Sequence, residues 1–220
     1  MIEGAFIVVE GIDGSGSTTV TNRLAAHVAS RKRSVHSTCE PSGGPIGSMI
    51  RQILSHRIVV PTELGATSPG WATMALLFAA DRLDHLDAEI LPRLREGVVV
   101  ISDRYDLSSL AYQSATAPSE DPEQGKRIVG WIRQLNAKAR RPDLTIVLDV
   151  RPDVAADRRH ARGGASELYE VSELQTRLAL AYANAEALAP GDRIAHVDAN
   201  GPLDQVVAAS VALVDQLFGS

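Results

Sequence analysis

The chain has 220 residues, of which 45% are hydrophobic and 22% charged, and this balance excludes disordered and collagen-like classes. The formal net charge of −5 argues against a general nucleic-acid-binding protein, which needs a basic face to displace counterions. It is compatible with a small phosphate ligand held by a few local cations. Only three of the 22 basic residues are lysines (Lys32, Lys126 and Lys138), so arginine must supply most contacts to any phosphate.

Cysteine content and N-terminal sequence bear on the compartment. Cys39 is the single cysteine, which excludes an intramolecular disulfide or a cysteine-based zinc site and fits a reducing compartment. The first residues lack the basic and apolar regions of a signal peptide, and no apolar run approaches the ~18 residues of a membrane span. We therefore expect a cytoplasmic protein that binds neither membrane nor nucleic acid.

Short apolar runs alternate with longer helical patterns along the chain. The predicted strands are 5–10, 34–39, 98–102, 144–150 and 193–197. The predicted helices are 18–30, 45–54, 71–95, 123–139, 154–159, 167–187 and 203–218. Three polar or small-residue segments, 57–70, 114–123 and 158–166, are predicted loops. This order predicts an α/β fold, a single domain over residues 1–220 with a parallel sheet covered by helices on both faces.

A glycine-rich segment, 11–19 (GIDGSGSTT), follows the first predicted strand and leads into the first helix. Gly11, Gly16 and Thr18 fit the phosphate-loop pattern G-x-x-x-x-G-K-[ST]. Glycines allow a tight loop whose backbone N–H groups converge on a phosphate, and the helix N-terminus adds partial positive charge. Thr18 would offer its hydroxyl to Mg²⁺.

Ser17 stands where the phosphate-loop pattern has lysine. That lysine reaches the β- and γ-phosphates and neutralises charge during phosphoryl transfer, whereas a serine supplies a hydrogen bond at most. The loop alone therefore indicates a phosphate site and a plain glycine-rich βα turn about equally.

Four further motifs appear in one order along the chain. Residues 103–113 (DRYDLSSLAYQ) resemble the DRY-x-x-SS-x-AYQ signature of thymidylate kinases, and residues 40–47 (EPSGGPIG) resemble that family's E-P-G-G-T-P-x-G segment, with Ser42 for Gly. Residues 76–82 (LLFAADR) are similar to the family's LLFAADR helix, and 142–145 (PDLT) with 148–150 (LDV) to its PDLT-x-x-LDV strand. The resemblance covers nearly the whole chain.

The resemblance implies a P-loop kinase fold with a five-stranded parallel sheet, transfer of the γ-phosphate of ATP to dTMP with Mg²⁺, and a homodimer. The residues it implies for ATP binding are Gly11, Gly14, Ser15, Gly16, Ser17, Thr18 and Thr19. Those it implies for dTMP binding are Asp13, Glu40, Pro41, Arg51, Phe78, Arg82, Arg104, Ser109, Tyr112 and Gln113.

Three charged residues have chemistry that suits a transfer centre. Asp13 lies inside the phosphate loop, where a carboxylate repels phosphate, and in the family this aspartate meets the acceptor near its 3′-OH and the transferring phosphate. Asp103 ends a buried strand, where the ligand crevice of a parallel sheet opens, and a carboxylate there suits Mg²⁺. Arg104 beside it suits the acceptor phosphate. We therefore expect Asp13 and Arg104 to be catalytic and Thr18 and Asp103 to be the metal ligands.

Phe78 and Arg82 are four residues apart and share one helical face. Phe78 would stack on a pyrimidine and Arg82 would donate to a base carbonyl. Tyr112 would close against the 2′-carbon of the deoxyribose and disfavour a ribo-sugar. The alternative is that Phe78 belongs to the core and Arg82 is solvated.

Segment 158–166 (RRHARGGAS) is predicted to begin a lid over about 158–170. Family members whose phosphate loop lacks an extra basic residue carry catalytic arginines in the lid, and position 14 is glycine here. Arg158, Arg159 and Arg162 are therefore the candidate catalytic arginines, and we hypothesise that they take over part of the role of the absent lysine. The lid lacks the family's usual Asp-Arg pair, so the sequence does not distinguish among the three.

Segment 198–202 (DANGP) follows the last predicted strand, where the family holds adenine, although a plain turn explains it equally well. Two other functions are compatible with the sequence. One is a kinase for another pyrimidine nucleoside monophosphate, and the other is a catalytically inactive nucleotide-binding protein that has lost its lysine.

Overall fold

The computed structural model describes residues 4–63, 65–118, 121–163, 168–169 and 172–219. Five parallel strands form the central sheet: β1 (Phe6–Glu10), β2 (Val35–Cys39), β5 (Val99–Asp103), β6 (Leu144–Asp149) and β7 (Ile194–Asp198). Their order across the sheet is β2-β5-β1-β6-β7. The predicted parallel α/β architecture is confirmed, and each strand begins and ends within one residue of its predicted bounds.

The helices that connect and cover the strands make up most of the remaining chain. They are α1 (Ser17–Ser30), α2 (Pro45–Leu54), α3 (Trp71–His85), α4 (Leu91–Arg95), α5 (Asp106–Thr116), α6 (Pro122–Leu135), α7 (Pro152–Arg162), α8 (Ser172–Ala183), α9 (Ala185–Leu188) and α10 (Leu203–Leu217). None of the helices in the described ranges is long and apolar enough to cross a membrane.

The alternation of β1 side chains divides the core between the two faces of the sheet. Ile7 and Val9 belong to the larger hydrophobic cluster, whereas Phe6 and Val8 belong to a second cluster on the other face. All five residues of β1 are buried. A strand covered on both faces needs a continuous apolar run rather than alternation, which explains the sequence FIVV.

Three predicted element bounds are wrong. Segment 57–70 contains a short antiparallel hairpin, β3 (Val60–Thr62) with β4 (Gly65–Thr67), rather than only loop. The helix predicted over 71–95 is interrupted by a π-helical turn at Leu86–Ile90, next to Pro92, which has no N–H to continue the α-helical pattern. Helix α7 begins at Pro152 and ends at Arg162, so it extends beyond both ends of the helix predicted over 154–159 and into the loop predicted over 158–166.

Two further predicted helices also differ in extent. Helix α6 ends at Leu135, four residues before its predicted end at 139, and Asn136 caps it. The helix predicted over 167–187 is divided into α8 and α9 at Asn184, and part of its predicted first turn lies outside the described residues.

Candidate active site

The phosphate loop connects β1 to α1 at the carboxyl edge of the sheet. Gly14 and Gly16 have φ angles of 89° and 97°, which side chains rarely adopt, and α1 begins directly after Gly16. The first turn of α1 carries no acidic residue, so its free N–H groups are available to an anion. A cleft of about 600 Å³, a size typical of small-molecule sites, opens above it. Its lining residues are Asp13 to Thr19, Asp103, Arg104, Arg158, Gly201, Pro202, Leu203 and Val206.

The two predicted metal ligands lie together in this cleft. The Thr18 hydroxyl donates a hydrogen bond to Oδ2 of Asp103, although the two residues are 85 positions apart in sequence. Oδ1 of Asp103 is buried and has no hydrogen-bond partner among the described residues. A carboxylate and a hydroxyl beside a phosphate site are oxygen donors of the kind Mg²⁺ prefers. The residues present therefore fit the ion that the resemblance implies.

A second cavity lies next to the cleft, between α2, α3 and α5. Its lining residues are Asp13, Glu40, Pro41, Leu54, Phe78, Arg82, Arg104, Tyr105, Ser108, Ser109, Tyr112, Gln113 and Tyr169. Nine of the ten residues predicted to bind dTMP are in this set. The exception is Arg51, which is exposed and donates to the carbonyl of Pro41 at 2.6 Å.

Asp13 and Arg104 line both cavities, so the cleft and the second cavity meet at this pair. Nη2 of Arg104 lies 2.7 Å from Oδ1 of Asp13, and Nη1 donates to the carbonyl of Gly11 at 2.9 Å. Arg104 has a φ of 72°, a left-handed conformation that is strained for a side chain of this size. In this conformation the guanidinium lies at the junction of the two cavities.

Aromatic and amide groups cover the Asp13 carboxylate from the other side. The Tyr112 hydroxyl donates to Oδ2 of Asp13 at 3.1 Å, and burial raises the pKa of this phenol, which keeps it a neutral donor. Gln175 on α8 also donates to Oδ2 at 3.1 Å, and to the carbonyl of Tyr169 at 2.7 Å. Gln175 was not predicted from the sequence. With Arg104, these donors fix the position of the carboxylate at the junction.

Arg82 is almost fully buried, with 1% of its surface exposed. Its guanidinium donates to Oε2 of Glu40 at 2.6 Å, Oδ1 of Asn136 at 2.5 Å and the carbonyl of Tyr105 at 3.0 Å, with Ser109 at 3.2 Å. The interpretation of Arg82 as a solvated residue is therefore wrong. Nε of Arg82 is buried and has no acceptor among the described residues. One donor thus remains for a ligand in the second cavity.

Phe78 and Gln113 are the remaining candidates for contact with a base. Phe78 is half-buried, lines the second cavity and packs against the small cluster of Ile50, Ile53 and Met74. Gln113 is 1% exposed, and its Oε1 has no hydrogen-bond partner within the described ranges. An aromatic face, one free donor and one free acceptor match the chemistry of a pyrimidine.

The α7 arginines reach the phosphate loop through backbone carbonyls. Arg159 donates to the carbonyl of Asp13, and Arg158 donates to those of Ser15 at 3.5 Å and Gly201 at 3.1 Å. A Cβ at Gly14 would lie 3.1 Å from Cγ of Arg159. The Arg159 side chain therefore lies where a side chain at position 14 would need space. Arg162 ends α7, but its side chain lies outside the described part of the structure.

Glu10 is a buried carboxylate that was not predicted to be a site residue, because it ends an apolar strand. It accepts hydrogen bonds from the backbone N–H groups of Tyr105 and Ser108 at 2.8 and 3.2 Å and from the hydroxyls of Ser108 and Tyr182 at 2.6 and 3.0 Å. Burial raises its pKa to about 7, against these hydrogen bonds and the charge of Arg104, which lower it. Glu10 therefore connects β1, the start of α5 and α8 behind the transfer site.

The pKa of Glu10 predicts how stability varies with pH. The folded protein keeps this proton up to about pH 7, whereas the unfolded chain releases it near 4.5, so the free energy of unfolding should fall as pH rises across that interval. At about 1.4 kcal/mol per pKa unit, the loss is up to about 3 kcal/mol. Urea unfolding of the wild type and Glu10→Gln between pH 5 and 8 measures it, with the exposed Glu96→Gln as control. An equally steep dependence in Glu10→Gln would contradict the assignment.

A phosphate loop at the carboxyl edge of a parallel sheet, with a second cavity meeting its cleft, defines a P-loop kinase fold. Comparison with known proteins is more specific. The sequence model of the family described as thymidylate kinase matches residues 9–209, and the chain belongs to that family.

Individual relatives agree with the family match. The chain is 38% identical over 213 residues to a protein of Pyrococcus horikoshii named probable thymidylate kinase, covering 97% of each. It is 43% identical over 166 residues to one of the same name from Pyrobaculum aerophilum, covering 76% of this chain and 74% of the relative. It is 36% identical over 218 residues to the thymidylate kinase of Bifidobacterium longum subsp. infantis, covering 99% of this chain and 88% of that protein.

Proposed function

We propose that this protein transfers the γ-phosphate of ATP to dTMP, giving ADP and dTDP, in dTTP biosynthesis. The observation that carries the proposal is the junction at Asp13 and Arg104, where the phosphate-loop cleft meets the cavity of Phe78, Arg82 and Gln113. A donor phosphate on the loop and an acceptor phosphate at Arg104 would approach each other there. Phosphoryl transfer depends on such positioning and on electrostatics more than on acid–base chemistry.

Each part of the site has a role in this reaction. The loop N–H groups and the N-terminus of α1 bind the phosphates of ATP, and Gly201 and Pro202 line the end of the cleft where the family holds adenine. Mg²⁺, when bound by Thr18 and Asp103, neutralises charge on those phosphates. Arg104 holds the acceptor phosphate, and Asp13, fixed by its three donors, orients the sugar end of the acceptor.

Several finer assignments belong to the same proposal. The chain forms one domain over residues 1–220, with a lid at about 158–170, and acts in the cytoplasm on ATP and dTMP without nucleic acid or membrane. The protein is a homodimer, and Leu76 and Leu83 support this because they are exposed and seven residues apart on one face of α3. Light scattering after size-exclusion chromatography tests the dimer, and a monomeric mass would contradict it.

A coupled assay for ADP tests the activity. ADP formation from ATP should require both dTMP and Mg²⁺, and a panel of dTMP, dUMP, dCMP and dGMP should show the highest kcat/KM for dTMP. Preference for another pyrimidine would identify a related monophosphate kinase. Ser17 favours a second candidate, an inactive nucleotide-binding protein, and tight ATP binding without dTMP-dependent turnover would support it.

A further inference from the structure

Arg82 is held through both of its terminal nitrogens by residues of this chain. The Glu40 carboxylate lies 2.6 Å from Nη2, and Oδ1 of Asn136 lies 2.5 Å from Nη1. Both partners are buried, with 5% of each residue exposed. The guanidinium therefore cannot turn without breaking a short buried hydrogen bond, and its free Nε–H keeps one direction.

The orientation of the Asn136 amide is itself fixed. Its Nδ2 donates at 2.8 Å to the carbonyl of Ile132, which also accepts the backbone N–H of Asn136 at 3.3 Å at the end of α6. Because Nδ2 must face that carbonyl, Oδ1 must face Arg82. The end of α6 thus determines where an acceptor is offered to Arg82, 54 residues away in sequence.

We infer that Asn136 is a specificity-determining positioning residue for the acceptor base, acting through Arg82. A fixed guanidinium presents an N–H donor to a base carbonyl. A base with an amino group at the same place would set its own N–H donors against that of Arg82, which is unfavourable. If Arg82 could swing aside, the unfavourable meeting would be relieved and a cytosine-type base would be tolerated. The inference rests on the proposed function, since it needs a pyrimidine monophosphate in the second cavity.

The discriminating measurement is the ratio of kcat/KM for dTMP to kcat/KM for dCMP, taken on one preparation. The fraction of correctly folded enzyme cancels from this ratio, so reduced folding of a variant does not alter it. Asn136→Leu removes the acceptor from Nη1, and we expect the ratio to fall at least about tenfold, the size of effect of one hydrogen bond to a charged group. The KM for dTMP should rise about tenfold with the KM for ATP unchanged.

A conservative variant and a matched control complete the experiment. Asn136→Asp keeps an oxygen for Arg82 but loses the donor to Ile132, and it should hold the ratio within about threefold of the wild type. Asn184→Leu removes an equivalent bond, from Nδ2 to the carbonyl of Leu180 at 2.8 Å, outside the site, and should leave the ratio unchanged.

Two results would overturn the inference. One is a wild-type ratio in Asn136→Leu, and the other is a ratio lowered as much in Asn136→Asp as in Asn136→Leu. Failure of the proposed function is seen separately, as absence of dTMP-dependent ADP formation in the wild type.

Discussion

Arg104→Met is expected to lower kcat/KM for dTMP by about three orders of magnitude. Arg104 is the cation common to the two cavities, and it contacts both the Asp13 carboxylate and the carbonyl of Gly11. The substitution removes the positive charge that would face the acceptor phosphate. It also removes one of the three hydrogen-bond donors that fix the Asp13 carboxylate. Both effects act on the approach of the reacting groups, so kcat should fall as well as KM rise.

Methionine is a suitable replacement because its unbranched, uncharged side chain matches that of arginine as far as the Nε position and, like arginine, has a Cβ. The strain of the left-handed backbone at φ 72° is therefore present in both proteins and does not separate them. Arg104→Lys should recover only part of the activity, since an ammonium cannot bind a phosphate and Asp13 as a planar fork does. Steady-state kinetics with Arg23→Met, an exposed cation on α1, as control will measure this. Activity of Arg104→Met within tenfold of the wild type would refute the role.

Local patterns in the sequence were sufficient for the parts of the site that lie on one element. The strand–glycine loop–helix order of 6–18 predicts the phosphate loop, and Asp103 follows from its place at the end of a buried strand. Phe78 and Arg82 were predicted from the resemblance of segment 76–82 to the family's LLFAADR helix, and their helical spacing places them on one face. Each is a property of a short segment, which periodicity and turn chemistry describe.

The partners of these residues could not be predicted in the same way. Arg82 contacts Tyr105, Ser109 and Asn136, which the packing of α3 against α5 and α6 brings together, and Glu40, which directly follows β2. No periodicity marks Asn136, which lies just beyond the last turn of α6. Glu10 ends an apolar strand, and its four hydrogen bonds come from residues 95 to 172 positions away.

The full extent of α7 could not be predicted for a related reason. The small-residue composition of 158–166 indicates a loop, but Pro152 at the start and Asp153 in the first turn favour helix, and α7 continues to Arg162. The consequence for the site is specific. Because Arg158 and Arg159 are on α7, which packs against Gly14, they reach the phosphate loop from a helix.

The role of Ser17 can be tested by a cycle of four proteins: wild type, Ser17→Lys, Arg159→Met and the double variant. Arg159 is chosen because it bonds to the carbonyl of Asp13 and passes over Gly14, next to the junction where the phosphoryl group would move. If its cation replaces the absent lysine, Arg159→Met should lower kcat by about 10²- to 10³-fold. Ser17→Lys alone should change kcat little, because the charge is already supplied.

The double variant separates compensation from simple addition. A lysine at position 17 would reach the same phosphates along the cleft that Ser17 lines. The kcat of the double variant should therefore be at least about tenfold higher than that of Arg159→Met. Arg158→Met is the comparator. Its bonds to Ser15 and Gly201 place it at the nucleotide end of the cleft, and it should raise the KM for ATP more than it lowers kcat. If Ser17→Lys raised kcat by the same factor with and without Arg159, the two cations would act independently, and the serine would be a defect that no arginine has offset.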